Sequence, residues 1–246
     1  MSLPPSRLYA VTEATWPPAR AWREGPWTLR DGAGGGKRVS AATAAGPVTE
    51  GDIPAAEAAM RGMGQTPLFM IRQGEAALDA LLAARGYARI DEVVLYAAPI
   101  ELLTDKPLPR VTAFTIWEPL AIMTEIWAAG GVGPARLAVM ARAQVKTGIL
   151  ARWNEKPAGV AFAGVHDGVT MVHAVEVVAH QRRQGVAEWM MRAAAFWGTA
   201  EGATHLAVLC VTENTAANAL YTKLGFAEAG RYHYRISQQK GHADDR

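Results

Sequence analysis

The sequence holds a single cysteine, Cys210, so no internal disulfide is open to it and a reducing, cytoplasmic setting is expected. It has no long hydrophobic run. Its apolar stretches are broken by charge or glycine within about 12 residues, short of the ~20 that span a bilayer. It has no excess of one charge either, with 25 lysines and arginines against 23 acids and a formal net charge of +2. With no basic stripe and no block of like charge, neither nucleic acid nor an anionic membrane is expected as a partner. No charged segment leading into an apolar stretch opens the chain, which argues against export. The six histidines form no metal-binding motif, and no second cysteine supports one, so no metal is expected. Cys210 lies inside "LAVLCV", where a cysteine reads as an inert core residue rather than a nucleophile.

What remains is an ordinary folded composition, 50% hydrophobic and 20% charged, in 246 residues: one large domain or two small ones. Pro and Gly cluster at 17–36 and again around 99–109, and the second cluster marks a boundary between residues 1–108 and 109–246. In the first half "GPWTLRD" and "KRVSAATA" read as strands around "GAGGG", a flexible hairpin tip. "AAEAAMRGMG" reads as helix, "TPLFMIR" as strand, "EAALDALLAARGY" as helix and "DEVVLYAAP" as strand. In the second half a strand-like "RVTAFTIW" precedes two helical stretches, and residues 146–179 read as three antiparallel strands joined at Asn154–Pro157 and His166–Gly168. A long helix ending at Gly202, a strand, a helix closed by Gly225 and a last strand follow. The tail "SQQKGHADDR" is polar and expected to fray. This order predicts a mixed sheet with a right-handed crossover. Both halves end in the same grammar: strand, helix, "ARGY" or "KLGF", strand.

Between the third meander strand and the long helix stands "QRRQGVA". A helix N-terminus carries unpaired amides and about half a positive charge, and so it favours anions. Arg182 and Arg183 add cationic charge there, and Gly185 lets a bulky ligand reach the backbone. A diphosphate suits such a turn, although most arginine pairs in turns are merely solvated. The Gly-rich "GAGGGKR" fits neither phosphate-loop spacing. Some thirty residues on, "NTAANALYTKLGF" sets Asn214 and Tyr221 two helical turns apart on one face.

Together the two stretches resemble the GNAT superfamily of acyl-CoA N-acyltransferases. Its Q/R-x-x-G-x-G/A motif corresponds to Arg182, Arg183, Gln184, Gly185, Val186 and Ala187. Its N-x-x-A-x-x-x-Y-x-x-x-G-F motif corresponds to Asn214, Ala217, Tyr221, Gly225 and Phe226. The resemblance covers about residues 110–236. One departure is Ala179, where the family often has proline. The resemblance implies a mixed α/β (α+β) fold with a mostly antiparallel sheet flanked by helices. It implies two tandem GNAT-like halves, the first degenerate and without a CoA motif, the second catalytic. Acetyl-CoA becomes the expected co-substrate, and a small-molecule or peptide amine the expected acceptor, attacked directly in a ternary complex; a homodimer is allowed. By the same resemblance, amides of residues 183–187 hold the diphosphate and the strand through Val175 and Val177 pairs with the pantetheine arm. Asn214 touches that arm, and Tyr221 protonates the departing thiolate.

Attack on a thioester needs a neutral amine, hence a base. Strand alternation puts His173, Val175 and Val177 on one face, with Ala174 and Glu176 on the other. His173 matches a position where relatives carry a catalytic Glu or His, and a histidine titrates near working pH. Glu176 interrupts an apolar strand, which is costly without a purpose or a partner. Each also has a plain reading, as a core histidine and as a structural ion pair. Trp16, Trp22 and Trp27 are expected in the core or along a cleft wall. A non-catalytic acyl-CoA-binding or regulatory module is the alternative, which the complete second motif disfavours.

Overall fold

A computed structural model describes residues 3–238. In chain order it contains α1 (Pro5–Thr15), β1 (Arg20–Glu24), β2 (Trp27–Asp31), α2 (Lys37–Ser40), β3 (Thr43–Ala44), α3 (Ile53–Gly62), β4 (Leu68–Arg72), α4 (Ala76–Ala84) and β5 (Ala88–Pro99). There follow α5 (Glu101–Thr104), β6 (Ala113–Ile116), α6 (Ala121–Ala129), α7 (Pro134–Arg142), β7 (Val145–Trp153), β8 (Lys156–His166), β9 (Val169–Val177), α8 (Val186–Ala200), β10 (His205–Val211), α9 (Thr215–Lys223) and β11 (Ala227–Ile236). The chain forms two compact units, one of residues up to Pro17 with Val93–Gly230, the other of Pro18–Glu92 with the residues from Arg231 on. Neither junction lies at the proline-rich stretch near residue 108. β5 enters the first unit at Val93 and β11 leaves it at Arg231, since ladder partners rather than loop composition assign a strand to a body.

The first unit is built on strands in the order β5-β10-β9-β8-β7-β6. Every pairing is antiparallel except β9 with β10. The hairpin turns follow from residues that tolerate positive φ: Asn154 and Glu155 at 48° and 62°, Asp167 and Gly168 at 47° and 66°. These are the paired left-handed positions of a tight two-residue turn. α8 covers one face through an alanine-rich side, with Met190, Met191, Ala193, Ala194 and Ala195 buried. It sits close because Gly198 presents no side chain: a Cβ there would lie 1.9 Å from Thr170 Oγ1. α1 and α6 cover the opposite face. A Cβ on Gly164 would meet Thr15 of α1, and one on Gly148 would meet Met123 of α6. α1 has a proline in its first turn and no side-chain cap, so little in its sequence announces it.

In the second unit β1 and β2 form a hairpin around Gly25, β3 pairs with β2, and β4 pairs with the last residues of β11. Trp27, Leu29, Phe69, Ile53, Met60 and Leu82 form its core. The Arg235 Nε donates to Asp79 Oδ1 at 2.7 Å, with His233 Nε2 also at 2.7 Å, and together they hold the Asp79 carboxyl down at about 2. The strand expected over "KRVSAATA" is corrected. Lys37–Ser40 is a helical turn entered from Gly36 at φ 98°, and only Thr43–Ala44 is strand. "GAGGG" is therefore no hairpin tip: it folds back so tightly that a Cβ on Gly32 would lie 2.1 Å from Ser40 Oγ. Trp27 and Trp16 are core residues, while Trp22 lies partly exposed under the Arg20 guanidinium. The tail expected to fray lies, from residue 239 on, outside the described residues.

Candidate active site

Two neighbouring strands of the first unit part company midway. The parallel ladder between β9 and β10 runs from Val169–His205 to Val172–Val208 and stops. Beyond it β10 keeps its pairing with β5, and β9 keeps β8, so the facing edges lose each other as strand partners. At the same point β9 bulges. Phe162 pairs with His173 and Val160 with Glu176, so two residues of β9, Ala174 and Val175, stand opposite the single Ala161 of β8, and Ala174 takes φ 48°. Such a bulge re-aims every side chain after it.

The alternation expected for this strand is thereby corrected. Val175 and Val177 point into the core cluster shared with α8, whereas His173, paired with Phe162, faces α1. Glu176, paired with Val160, shares the His173 face and reaches α6. The extra residue at Ala174 is the physical reason. His173 and Glu176 are on one side of the sheet, and the two valines on the other.

Past β9 the chain makes a 3-10 turn, Ala179–Gln181, and then the turn that launches α8. Arg182 anchors it by donating from Nε to the Val177 carbonyl at 3.1 Å, and Gln184 Nε2 donates to the His180 carbonyl at 3.2 Å. Arg183 and Gly185 both take left-handed φ, 64° and 81°. Gly185 is the helix N-cap, and a Cβ on it would meet nothing nearer than Trp189 Nε1 at 4.0 Å. Arg182, Arg183, Gln184 and Gly185 are exposed, Val186 is buried and Ala187 half-buried. The first turn of this 15-residue helix thus begins at a glycine with open space about it and two cations before it, a geometry that can hold an anion.

Across the parting lies Tyr221, buried on α9 against Tyr96 and Phe226. Burial, with a smaller contribution from Cys210, raises its hydroxyl above the ordinary tyrosine value, so the group is a proton donor at neutral pH. Burial likewise pushes the Cys210 thiol up to about 11, which keeps it a thiol. Asn214 caps its own helix: its Oδ1 accepts from Ala217 N at 3.1 Å. Asn218, one turn on, ties the approach to α9 together, its Nδ2 donating to the carbonyls of Val211, Thr212 and Asn214.

On the opposite face Glu176 lines a cleft of about 620 Å³ between the end of β9, α6 and the β7–β8 turn. Its walls are largely apolar, among them Ile122, Ile126, Pro157 and Val178, with Glu125, Lys156, His180 and Arg182 as the ionisable groups beside Glu176. Burial raises the Glu176 carboxyl above the usual range, and Arg182 and Arg136 pull it back in part. His173 is placed differently. It is buried, stacked on Trp16 with centroids 5.0 Å apart, and not among the residues of this cleft. Thr15 Oγ1 lies 2.8 Å from the Val11 carbonyl, to which it donates, and 2.9 Å from His173 Nε2, so this edge of the ring is turned to α1 and not to the cleft.

Residues 120–226, from the entry to α6 through Phe226, match the model of the acetyltransferase (GNAT) family. Over residues 120–226 the chain is thus similar to the GNAT acetyltransferases. The uncharacterized N-acetyltransferase YobR of Bacillus subtilis (strain 168) is 25% identical over 242 residues, covering 94% of this chain and 98% of the relative. A GCN5-related N-acetyltransferase from Kribbella flavida shares the fold with a TM-score of 0.71 over 97% of this chain and 96% of its own, at 20% identity. A tandem GNAT protein from the clavulanic acid biosynthesis pathway does so with a TM-score of 0.63 over 99% and 91%, at 14% identity. The GNAT fold expected from the sequence, a large and mostly antiparallel sheet flanked by helices, is the one present. Among the described residues no helix is long and apolar enough to cross a membrane.

Val175, Val177 and the 182–187 turn follow β9 past the strand parting, and Asn214 and Tyr221 follow β10 past it, while Glu176 opens onto the cleft that Val177 and Arg182 also line. His173 turns to α1 instead. Sequence reading missed Trp127, Gly130 and Asn218. The Gly130–Gly131 pair signals a helix end, but nothing local says that a carboxylate 46 residues later lies against it.

Proposed function

We propose that this GNAT domain transfers an acetyl group from acetyl-CoA to a primary amine, by direct attack within a ternary complex, with Glu176 rather than His173 taking the amine's proton. The observation that carries this reading is the parting of β9 and β10 beyond Val172 and Val208, closed at one end by the Gly185 turn and flanked by Tyr221. Backbone edges left without strand partners suit an amide-bearing arm such as pantetheine, and the free first-turn amides suit a diphosphate. The open space at Gly185 is what such a group needs.

In this reading Val175 and Val177 offer backbone to the arm, and the amides of residues 183–187 hold the diphosphate with Arg182 and Arg183 nearby. Asn214 contributes from its exposed amide nitrogen, its oxygen being occupied by the cap. The acceptor enters on the Glu176 side. Glu176 takes a proton from the ammonium, directly or through water; the amine nitrogen bonds to the acetyl carbonyl carbon and the C–S bond breaks. The Tyr221 hydroxyl then protonates the leaving thiolate and is restored by the second proton that the acylated nitrogen sheds, while Glu176 gives its own proton to solvent. A carboxylate of raised pKa is a better base than an ordinary one, and the Tyr221 hydroxyl keeps its proton until the thiolate forms. Residues 109–246 carry this chemistry, and residues 1–108, without a CoA turn, complete the fold as a degenerate GNAT-like half.

Calorimetry with CoA and acetyl-CoA, followed by thiol release over a panel of amines and of longer acyl-CoA donors, tests the reading. Saturable CoA binding with amine-dependent thiol release is expected. Tight binding with no release for any amine would convert the domain into a binding module.

A further inference from the structure

Glu176 owes its place to an element that the sequence motifs do not touch, the last turn of α6. A Cβ built on Gly130 would lie 2.4 Å from Glu176 Cδ, 2.6 Å from Oε2 and 2.7 Å from Cγ, all far inside contact distance. The carboxylate therefore lies against bare backbone. Nothing in the conformation of Gly130 asks for glycine, because its φ of −86° and ψ of 6° are open to any residue. Space alone requires it. Three residues earlier Trp127, fully buried, donates its indole Nε1 to the Ala174 carbonyl at 2.9 Å, fixing the bulge that turns Glu176 to this face.

We propose that Gly130 is a positioning residue for Glu176: its missing side chain forms the seat of the carboxylate, while Trp127 of the same turn pins the bulge that delivers it. The proposal rests on the reading of Glu176 as the base. With alanine at 130 the carboxyl must retreat by about 1 Å to reach ordinary contact, a displacement that can cost a positioned group on the order of 10²-fold. The retreat leads toward solvent. The charged and titratable groups around the seat are Arg182 and His180 from the turn, Arg136 from α7, Glu125 from α6 and Lys156 at the start of β8. With less burial and the same two arginines, the carboxyl titrates lower than in the parent.

The test compares the full-length parent with Gly130→Ala, Glu176→Gln and the double variant. Gly133→Ala serves as control, since a Cβ there meets nothing within 4 Å. Gly130→Ala should lower kcat/KM for the amine by about 10- to 100-fold. It should leave CoA affinity by calorimetry within about twofold and move the Glu176 carboxyl titration, followed by 13C NMR, to lower pH. In the Glu176→Gln background it should cost nothing further. An unmoved Glu176 titration in Gly130→Ala, or an equal loss in both backgrounds, would overturn the proposal while leaving Glu176 as the base if Glu176→Gln is impaired. Full activity of Glu176→Gln would overturn the base assignment and the proposal with it.

Discussion

Replacing Gly185 puts the anion site to its most direct test. Its φ of 81° and ψ of 0° are left-handed, a region that costs an ordinary L-residue roughly 1–2 kcal/mol. An added Cβ would meet only Trp189 Nε1 at 4.0 Å, so the interior raises no objection and the whole cost is backbone strain. Gly185→Val has two ways to bear it. It can keep the turn and lose about 1–2 kcal/mol of stability, a fall in Tm of roughly 2–8 °C for a domain of this size. Or it can relax the turn and re-aim the first-turn amides, in which case the same energy appears as about a 5- to 30-fold weaker Kd for CoA. The branched side chain also occupies the open side of the turn, where a diphosphate must approach. Both effects weaken binding, and no measurable CoA heat is expected by isothermal calorimetry. Gly185→Asn separates the causes, because asparagine tolerates left-handed φ yet still carries a side chain. Its Tm should stay near the parent's while CoA affinity falls. Unchanged CoA affinity in both variants would refute a diphosphate site at this turn.

Other consequences can be checked on the same protein. Tyr221→Phe should lower kcat with little change in acetyl-CoA affinity, because the hydroxyl acts on the leaving thiolate alone; full turnover with a good acceptor would make it a core residue only. Glu176→Gln should raise Tm at neutral pH. The native carboxyl is raised by burial, so the charged form weakens the native state once pH climbs through that raised value, and below the usual carboxylate range the advantage should vanish. Thermal melts from pH 4 to 8 read this directly, and a pH-independent difference would contradict it. His173→Ala should lose stability by about 2–4 kcal/mol in urea, having removed a buried ring stacked on Trp16 and Phe162, yet keep the acid limb of kcat/KM. Loss of that limb would restore His173 as the base. Gly198→Ala should cost about 1–3 kcal/mol by overpacking against Thr170 Oγ1, and Thr170→Ala should recover part of it.

The sequence by itself determined the elements whose causes are local. Gly185 before α8, Asn214 before α9 and Gly225 after it act within one or two turns, and the glycine-bearing turn and the Asn–Tyr spacing can be read without knowing what packs where. The two hairpins of the meander were legible for the same reason, since positive φ at Asn154–Glu155 and Asp167–Gly168 is a property of the turn residues themselves. Tertiary structure decided the rest. Which face Glu176 takes depends on the register of β9 against β8, and one extra residue at Ala174 reverses what alternation predicts. That His173 turns its Nε2 to Thr15, 158 residues away in sequence, depends on a helix that no cap announces. Gly130 serves Glu176 only because α6 crosses the end of β9. A side chain's neighbours along the chain set its backbone, but its chemistry is set by groups that only the packed sheet brings within a few ångströms.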